Sequence, residues 1–469
     1  MSALCRMAVE TEFEDFPEEA RTKAKHTLLD SMAVTIGGSG LDGILEIVDL
    51  VKEKGGVEQS PIPFYGGLVP AAEAALAIGP MPRAMDCGDL HEEAGHISEY
   101  IVACLLAACG LREKVSGQEF LAALIVGQEV LIRIGSAYRL ISNAIPRGDC
   151  GGHYIFGAVA AIGRLLGFTQ EELENAEGIA RTMTQPHTMS IYSPATLMVR
   201  MHHGLVCHSA ILACQMARKG ITGPRHSVLT GPNGFLGTAH WDTEPEALTR
   251  GLGEDWEMTA ITTKGHSACY FSHSSIDGII EQMSMHGFTA EDVEAIHVDV
   301  SVSGSKAVCE PAESKWAPGT VPECQFSLPY AVASALVDGH VFLDTYSERS
   351  RSRENVRELM GRITADADPQ MSDWGARVRT VLRDGTEITT EHTYVKGHPN
   401  NPFTEVDFVA KFRRCVPYSI LPIGEDAEDG IIEAVLGLDE VDDVAGALLE
   451  PLTPESVPLI AQSQTPAQA

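Results

Sequence analysis

The side chains best suited to chemistry fall in separate short stretches. In residues 85–100, Asp86, Asp89, His91, Glu92, Glu93, His96, Ser98 and Glu99 abut the apolar run 101–109. So many ionisable groups beside a buried element are costly to desolvate unless they are paired or line a cavity. In Pro146-Arg147-Gly148-Asp149-Cys150-Gly151-Gly152-His153-Tyr154 the glycines let the backbone approach a partner closely, and a histidine and a tyrosine follow. Arg200-Met201-His202-His203-Gly204 opens a helix that also carries His208. Lys264-Gly265-His266-Ser267-Ala268-Cys269-Tyr270-Phe271-Ser272-His273 completes the set.

Histidine, with a reference pKa of about 6.5, can give or take a proton near neutrality. Lysine holds an anion, or acts as a base if burial lowers its pKa from about 10.4. Arg200 can clamp a carboxylate through two parallel hydrogen bonds, or equally sit in a surface ion pair. Taken alone, the stretches have plainer readings. His153 is a hydrogen-bonded structural histidine, Asp89 and residues 91–93 are solvated loop groups, and Ser98 caps the helix that follows. Two of His202, His203 and His208 can share a helix face, but no H-E-x-x-H or comparable ligand set accompanies them, so no metal site is expected.

The elements that must position these groups are mostly helical. Apolar residues recur at helical spacing from Pro17 to Ile36, with Gly37-Gly38 as a stop. Further helices are expected over 70–78, 100–111, 118–140, 156–166, 170–181 and from Arg200 to near Gly220, with Thr169 and Glu172 as a capping box. The pattern changes near 258. A helix over 276–286 precedes a strand at 295–302, then a helix at 328–336 and strands at 377–382 and 387–394 joined by Asp384-Gly385. Residues 258–396 thus form an α+β unit, helix returns at 405–414, and residues 451–469 read as a weakly ordered tail.

A chain of 469 residues with 44% hydrophobic content can bury a large core in more than one domain. Its net charge of −31 argues against nucleic acid or an anionic membrane as partner. A site for small anions on such a chain must gather local His, Lys and Arg. The longest apolar run, 101–110, is too short for a bilayer, and residues 1–9 lack a signal-peptide pattern, so a cytoplasmic location is the expectation. Eleven cysteines without a C-x-x-C pair read as reduced core residues.

Taken together, these stretches resemble the MmgE/PrpD family, which covers 2-methylcitrate dehydratase, cis-aconitate decarboxylase and iminodisuccinate epimerase. The likeness spans residues 10–415. It is carried by 85–96, Gly151-Gly152-His153, His202-x-Gly204 and Lys264…Tyr270-Phe271-Ser272-His273, together with Gln325-Phe326-Ser327-Leu328-Pro329-Tyr330-Ala331 and Lys396-Gly397-His398-Pro399-x-Asn401-Pro402.

The resemblance implies a mainly α fold: a large all-helical domain built from both chain ends (1–257 plus 397–450) with the smaller α+β unit (258–396) inserted as a lid. It further implies a homodimer, no metal, no organic cofactor and a small carboxylate as substrate. Asp86 and His96 match the acid and histidine of the family's first loop, His153 the histidine after its glycine pair, and Lys264 the lysine opening the lid segment. His208 falls where some members place a lysine, and Cys269 where the decarboxylases have a histidine.

The roles implied are a carboxylate-binding or basic Lys264, a proton-moving His153, Asp86 orienting His96 or acting as base, Tyr154 as a second acid, and Arg200 as a clamp. Leu90 replaces a usual threonine, and Glu99 stands near His96 where small residues are commoner. An inward Glu99 would oppose a highly anionic substrate. The reading is a cofactor-independent lyase like 2-methylcitrate dehydratase, moving a proton beside a carboxylate. The alternative is an epimerase with Lys264 and Tyr154 on opposite faces of an imino- or hydroxy-dicarboxylate.

Overall fold

Helices dominate, and the computed structural model describes residues 1–139, 152–184, 194–239 and 242–454. The loop residues 146–151 and the tail from 455 lie outside these. The first helices are Ser2–Glu10 (α1), Glu18–Gly38 (α2), Ile44–Lys54 (α3), Ala71–Ile78 (α4) and Pro80–Ala84 (α5). They lead to Ser98–Cys109 (α6), Gly117–Tyr138 (α7), Tyr154–Leu165 (α8), Gln170–Arg181 (α9) and Met198–Arg218 (α10). Thr169 accepts a hydrogen bond from the Glu172 N–H and Glu172 answers at the Thr169 N–H, the reciprocal cap expected for α9.

Two-residue ribbons pair Ser60–Pro61 (β1) with Leu68–Val69 (β2) and Leu90–His91 (β3) with Gly95–His96 (β4). Small residues let α7 and α8 pack side by side, with α8 also against α6, α9 and α10, and α10 against α4. α7 is long and apolar enough to cross a membrane, but 94% of that window is buried inside the protein.

The α+β part opens with His273–His286 (α11) and the strand Val293–Val300 (β5). Leu328–Asp338 (α12) is capped by Ser327, which accepts from the Tyr330 N–H. Ile363–Ala367 (β6), Ala376–Leu382 (β7) and Glu387–His392 (β8) complete a mixed sheet in the order β6-β5-β7-β8. β5 runs parallel to β6 and antiparallel to β7. Gln282 on α11 donates to the Val378 carbonyl at 2.9 Å, tying helix to sheet. Asp384-Gly385 forms the expected hairpin turn, with Gly385 at φ +88°.

Glu405–Cys415 (α13) and Glu425–Leu436 (α14) then return to pack on α2. Lys411 on α13 makes a buried ion pair with Asp30 on α2.

α2 ends at Gly38, as read from the sequence, and both glycines are also sites of close approach by α5 and Met85. The structure departs from the sequence reading in two places. Ser98 does not cap α6; the Asp89 carboxylate does, accepting from the Ser98 N–H at 2.8 Å. Packing also continues beyond 450: Leu452 is buried and its carbonyl accepts from the Phe64 N–H. The acidic composition of this region hid the apolar side chains Leu448, Leu449 and Leu452 that anchor it.

Candidate active site

The turn after α5 sets the site. Asp86 takes a left-handed backbone conformation, φ +49°, uncommon for a residue with a side chain. Its carboxylate is gripped from two sides, by Arg83 at 2.5 Å and by Lys264 Nζ at 2.7 Å. All three side chains are buried. Burial alone would raise the Asp86 carboxyl, but Arg83, Lys264 and His96 outweigh it and hold the pKa below the ordinary value.

The segment carrying Lys264 is pinned by backbone pairing. Leu90 and Thr262 exchange both their N–H···O bonds, and the Thr263 N–H donates to the Gly397 carbonyl at 3.0 Å. The same junction holds His398, which accepts from the Asn400 N–H at Nδ1 and so offers its Nε2 proton to Glu92 at 2.9 Å. The string 396–402 therefore braces the lysine segment against the first loop.

The ribbon β3–β4 then brings His96 to Glu99 in the first turn of α6. His96 Nδ1 stands 3.2 Å from Glu99 Oε2, and His203 Nε2 on α10 stands 3.1 Å from the same oxygen. Gly204 makes this approach possible: a Cβ there would lie 2.3 Å from the Leu76 carbonyl oxygen, so only glycine lets α10 close onto α4. Tyr100 stacks on the His203 ring at 3.8 Å and on Tyr154 at 4.4 Å.

Burial would raise the Glu99 carboxyl, but His96 and His203 carry it well below the carboxylate range. Burial and the Arg83 charge lower His96, while Glu99 pulls the other way. His203 is pushed down to about 3 by burial. His96 keeps 17% of its side chain exposed, against 1% or less for Asp86, Lys264 and Glu99.

Further cations surround this centre. Arg200 is buried, donates to the Asp42 carbonyl at 3.0 Å and to Gln325 at 3.4 Å, and lies within electrostatic reach of Arg83 and Asp86. Burial lowers its pKa to about 10. It is therefore no surface ion pair. Lys315 is also buried and lies 6.0 Å from the Phe326 ring, against which Arg83 sits at 5.7 Å. Cys269 donates its N–H to the Gln325 carbonyl, and its thiol, pushed up to about 11 by burial, feels Asp86, Lys264 and Arg83. Arg83, Arg200, Lys264 and Lys315 are thus buried cations on the Asp86 side, while Glu99 lies within electrostatic reach of the buried acids Asp30 and Asp89, with Lys411 paired to Asp30.

The remaining sequence candidates lie to the side. His153 is buried, donates from Nε2 to the Ala94 carbonyl at 3.0 Å, and is held near pKa 4 by burial. Its Nδ1 has no hydrogen-bond partner among the described residues. It joins the centre through stacked rings, with Tyr154 at 4.0 Å, then Tyr100, then His203. Tyr154 is buried within that stack. His208 does not converge with the rest: it is part-exposed, 3.5 Å from Glu73.

Two plain readings are corrected. Asp89 and His91 are buried rather than solvated, because the 262–264 segment and α13 pack over their loop. Sequence reasoning missed Arg83 and Lys315. The only signal for Arg83 was its place three residues before Asp86, one helical turn away.

As for a metal or cofactor, among the described residues the donor atoms of His96, Glu99 and His203 lie within 4.8 Å of one another. Chemically, the centre can bind anionic groups on fixed cations and exchange a proton through His96. Comparison with known proteins agrees with the motifs. Residues 2–247 match the MmgE/PrpD N-terminal domain and residues 266–438 the MmgE/PrpD C-terminal domain.

The chain is 27% identical to a cis-aconitate decarboxylase-like protein of Aspergillus oryzae, over 88% of this chain and 89% of the relative. It is 26% identical to a cis-aconitate decarboxylase of Aspergillus terreus, over 98% and 97%. It is 23% identical to a 2-methylcitrate dehydratase of Cupriavidus necator, over 74% of each.

Proposed function

The chain belongs to the MmgE/PrpD family, and on that premise we propose that it is a lyase for a small di- or tricarboxylate, forming negative charge on a carbon beside a carboxylate. The observation that carries this reading is that Arg83, Arg200, Lys264 and Lys315 are gathered in the interior near Asp86 and Phe326, in a chain of net charge −31. Cations fixed in a low-dielectric interior attract an anion far more strongly than they would in water. A polycarboxylate is such an anion, and fixed cations stabilise charge that develops on its oxygens during reaction.

Lys264 and Arg83 bind substrate carboxylate, with Asp86 holding both in place before it arrives. His96 moves the proton. Its Nδ1–H faces Glu99, which leaves Nε2 as the basic nitrogen, the arrangement in which a carboxylate fixes an imidazole tautomer. His153, kept neutral by burial, lines the far side of the aromatic stack and is a second proton carrier. The chain's own side chains supply all these roles.

The centre takes Arg83, Asp86, His96, Glu99, Arg200 and His203 from before residue 258, and Lys264, Cys269, Lys315 and Gln325 from after it. We therefore read the α+β part as a lid inserted between the two helical stretches, and substrate entry as its opening. The assembly is a homodimer.

Dehydration in the manner of 2-methylcitrate dehydratase is the leading reaction. Loss of carbon dioxide is the second, favoured by the names of the Aspergillus relatives. Purified protein incubated separately with 2-methylcitrate, citrate and cis-aconitate decides between them. A new conjugated double bond without released gas marks dehydration, and released carbon dioxide marks decarboxylation. Silence with all three, together with no solvent deuterium entering any of them, removes the lyase reading.

A further inference from the structure

We propose that the cleft between the start of α2, the segment 259–263 and the turn 397–403 is a binding site for a small organic ammonium ion with an apolar body. The cleft has a volume of about 520 Å³, within the range of small-molecule sites. Phe403, Phe408, Pro399 and Pro402 supply its apolar wall, and Glu18 and Glu19 supply two exposed carboxylates. Arg83, Asp86, His96 and Lys264 do not line it, so it is distinct from the charged centre.

A buried hydroxyl points to a ligand. Thr263 is buried on the wall of the cleft, and its Oγ1 has no hydrogen-bond partner among the described residues. Buried polar groups are nearly always partnered, so an orphaned acceptor beside a cavity calls for an occupant that brings a donor. An ammonium group is all donor and no acceptor.

The charges on the cleft select the sign of that occupant. Lys23 lines it too, but its ammonium donates to the Ile261 carbonyl, and burial lowers its pKa to about 8. His26 is stacked on Phe408, ring centroids 4.6 Å apart, and burial lowers it below its ordinary value, so it is neutral near pH 7. Glu18 and Glu19 therefore set the sign, on a chain whose net charge of −31 draws cations. The aromatic wall suits a cation as well. Phe403 already holds the Lys396 ammonium 5.8 Å from its ring centre, the range of a cation–π contact, and Lys396 is itself paired with Asp407 at 3.1 Å.

The position ties this cleft to Lys264, whose two chain neighbours both meet its wall. Thr263 lines it and gives its N–H to the Gly397 carbonyl at 3.0 Å, while a Cβ on Gly265 would stand 3.8 Å from Phe403 Cζ. An occupant thus stiffens the segment that holds Lys264 against Asp86. Binding itself is independent of which carboxylate reaction the chain performs.

The test uses the full chain and phenethylammonium chloride as probe, with 2-phenylethanol as the uncharged molecule of the same shape, both followed by calorimetric titration at low salt. Phenethylammonium should bind at one per chain and the alcohol about threefold to tenfold more weakly, the scale of losing two exposed ion pairs. The double variant Glu18→Gln, Glu19→Gln should weaken the ammonium by a similar factor and leave the alcohol unchanged. Thr263→Val, which keeps the shape and removes the hydroxyl, should also weaken the ammonium. Thr263 is buried, so circular dichroism must show that this variant folds, and if it does not, the exposed glutamates decide alone. Amide hydrogen exchange over 259–265 should slow when the probe is bound. Absence of phenethylammonium binding to the folded protein overturns the proposal, as does equal binding of the alcohol. So does binding that the glutamate variant leaves unchanged, or binding with unaltered exchange over 259–265, which would place the probe elsewhere.

Discussion

Lys264 Nζ lies 2.7 Å from Asp86 Oδ1, deep in the protein, and Arg83 reaches the same oxygen at 2.5 Å. One carboxylate thus holds two cations, and the two ends of this arrangement respond differently to mutation. Lys264→Met leaves Asp86 still paired with Arg83, whereas Asp86→Asn leaves both cations buried without a counter-charge. Removing one partner of a buried pair costs about 3–5 kcal/mol. Asp86→Asn should approach that loss in urea unfolding, and Lys264→Met should lose clearly less. In turnover the order narrows: Lys264→Met should fall by about 10²-fold or more, the usual scale for losing one fixed charge at the reacting centre. A Lys264→Met enzyme with ordinary kcat and KM would take Lys264 out of the site.

Glu99 is expected to act through His96. Burial and Arg83 lower the His96 pKa, and Glu99 is the neighbour that raises it. Glu99→Gln should therefore move the His96 titration, followed by NMR of the ring protons, to lower pH. If His96 is the base, the acid limb of the pH–rate profile moves down with it. The maximal rate should also drop by about tenfold to a hundredfold, because the tautomer is no longer fixed. A Glu99→Gln variant with an unmoved His96 titration would separate the two residues.

Much of this centre was legible in the sequence, and what was not has identifiable causes. Asp86, His96, Lys264 and Arg200 stood out because ionisable groups flanked apolar runs, and the structure places all four around one centre. Arg83 sits in the short, proline-bearing helix α5 and looks like any surface arginine until Asp86 turns back on it. Asp89 was read as solvated because burial of a loop is a long-range property, supplied here by partners far along the chain.

His203 and His208 were grouped together, but five residues of helix turn about 140°. One therefore points to Glu99 and the other to Glu73. In the fold, the strongly periodic helices were readable, whereas β6 was not. Its five residues, Ile363–Ala367, carry one buried side chain and little alternation.

Asp89 gives a pH signature of its own. Burial, and then the Asp30 charge, raise its carboxyl to about 7. In the unfolded chain it titrates near 3.9. Below that value it is neutral in both states, and its contribution to stability is fully present. As pH rises toward 7 the unfolded state ionises first, so stability falls by up to about 1.4 kcal/mol per pH unit across the window and then levels off. Asn at this position keeps an oxygen for the Ser98 N–H but does not ionise. Asp89→Asn should thus match wild type in urea melts at pH 4 and exceed it at pH 8. Equal differences at both pH values would show that Asp89 titrates normally.

Glycine positions on helices separate packing from propensity. A Cβ on Gly38 would lie 1.9 Å from the Met81 carbonyl oxygen, which belongs to α5, the helix that carries Arg83. A Cβ on Gly430, in the exposed part of α14, would meet nothing within 4 Å. Alanine is favoured over glycine in a helix by about 1 kcal/mol, so Gly430→Ala should gain roughly 0.5–1 kcal/mol. Gly38→Ala must push α5 away from α2, and overpacking of this kind costs about 1–3 kcal/mol, more than the propensity gain can offset. Because that push displaces Arg83 from Asp86, Gly38→Ala should also lower turnover, whereas Gly430→Ala should leave it alone. Urea denaturation and steady-state kinetics on the two variants, side by side, test the claim that the α2–α5 contact sets the position of the charged centre. A destabilised Gly38→Ala protein with full activity would show that it does not.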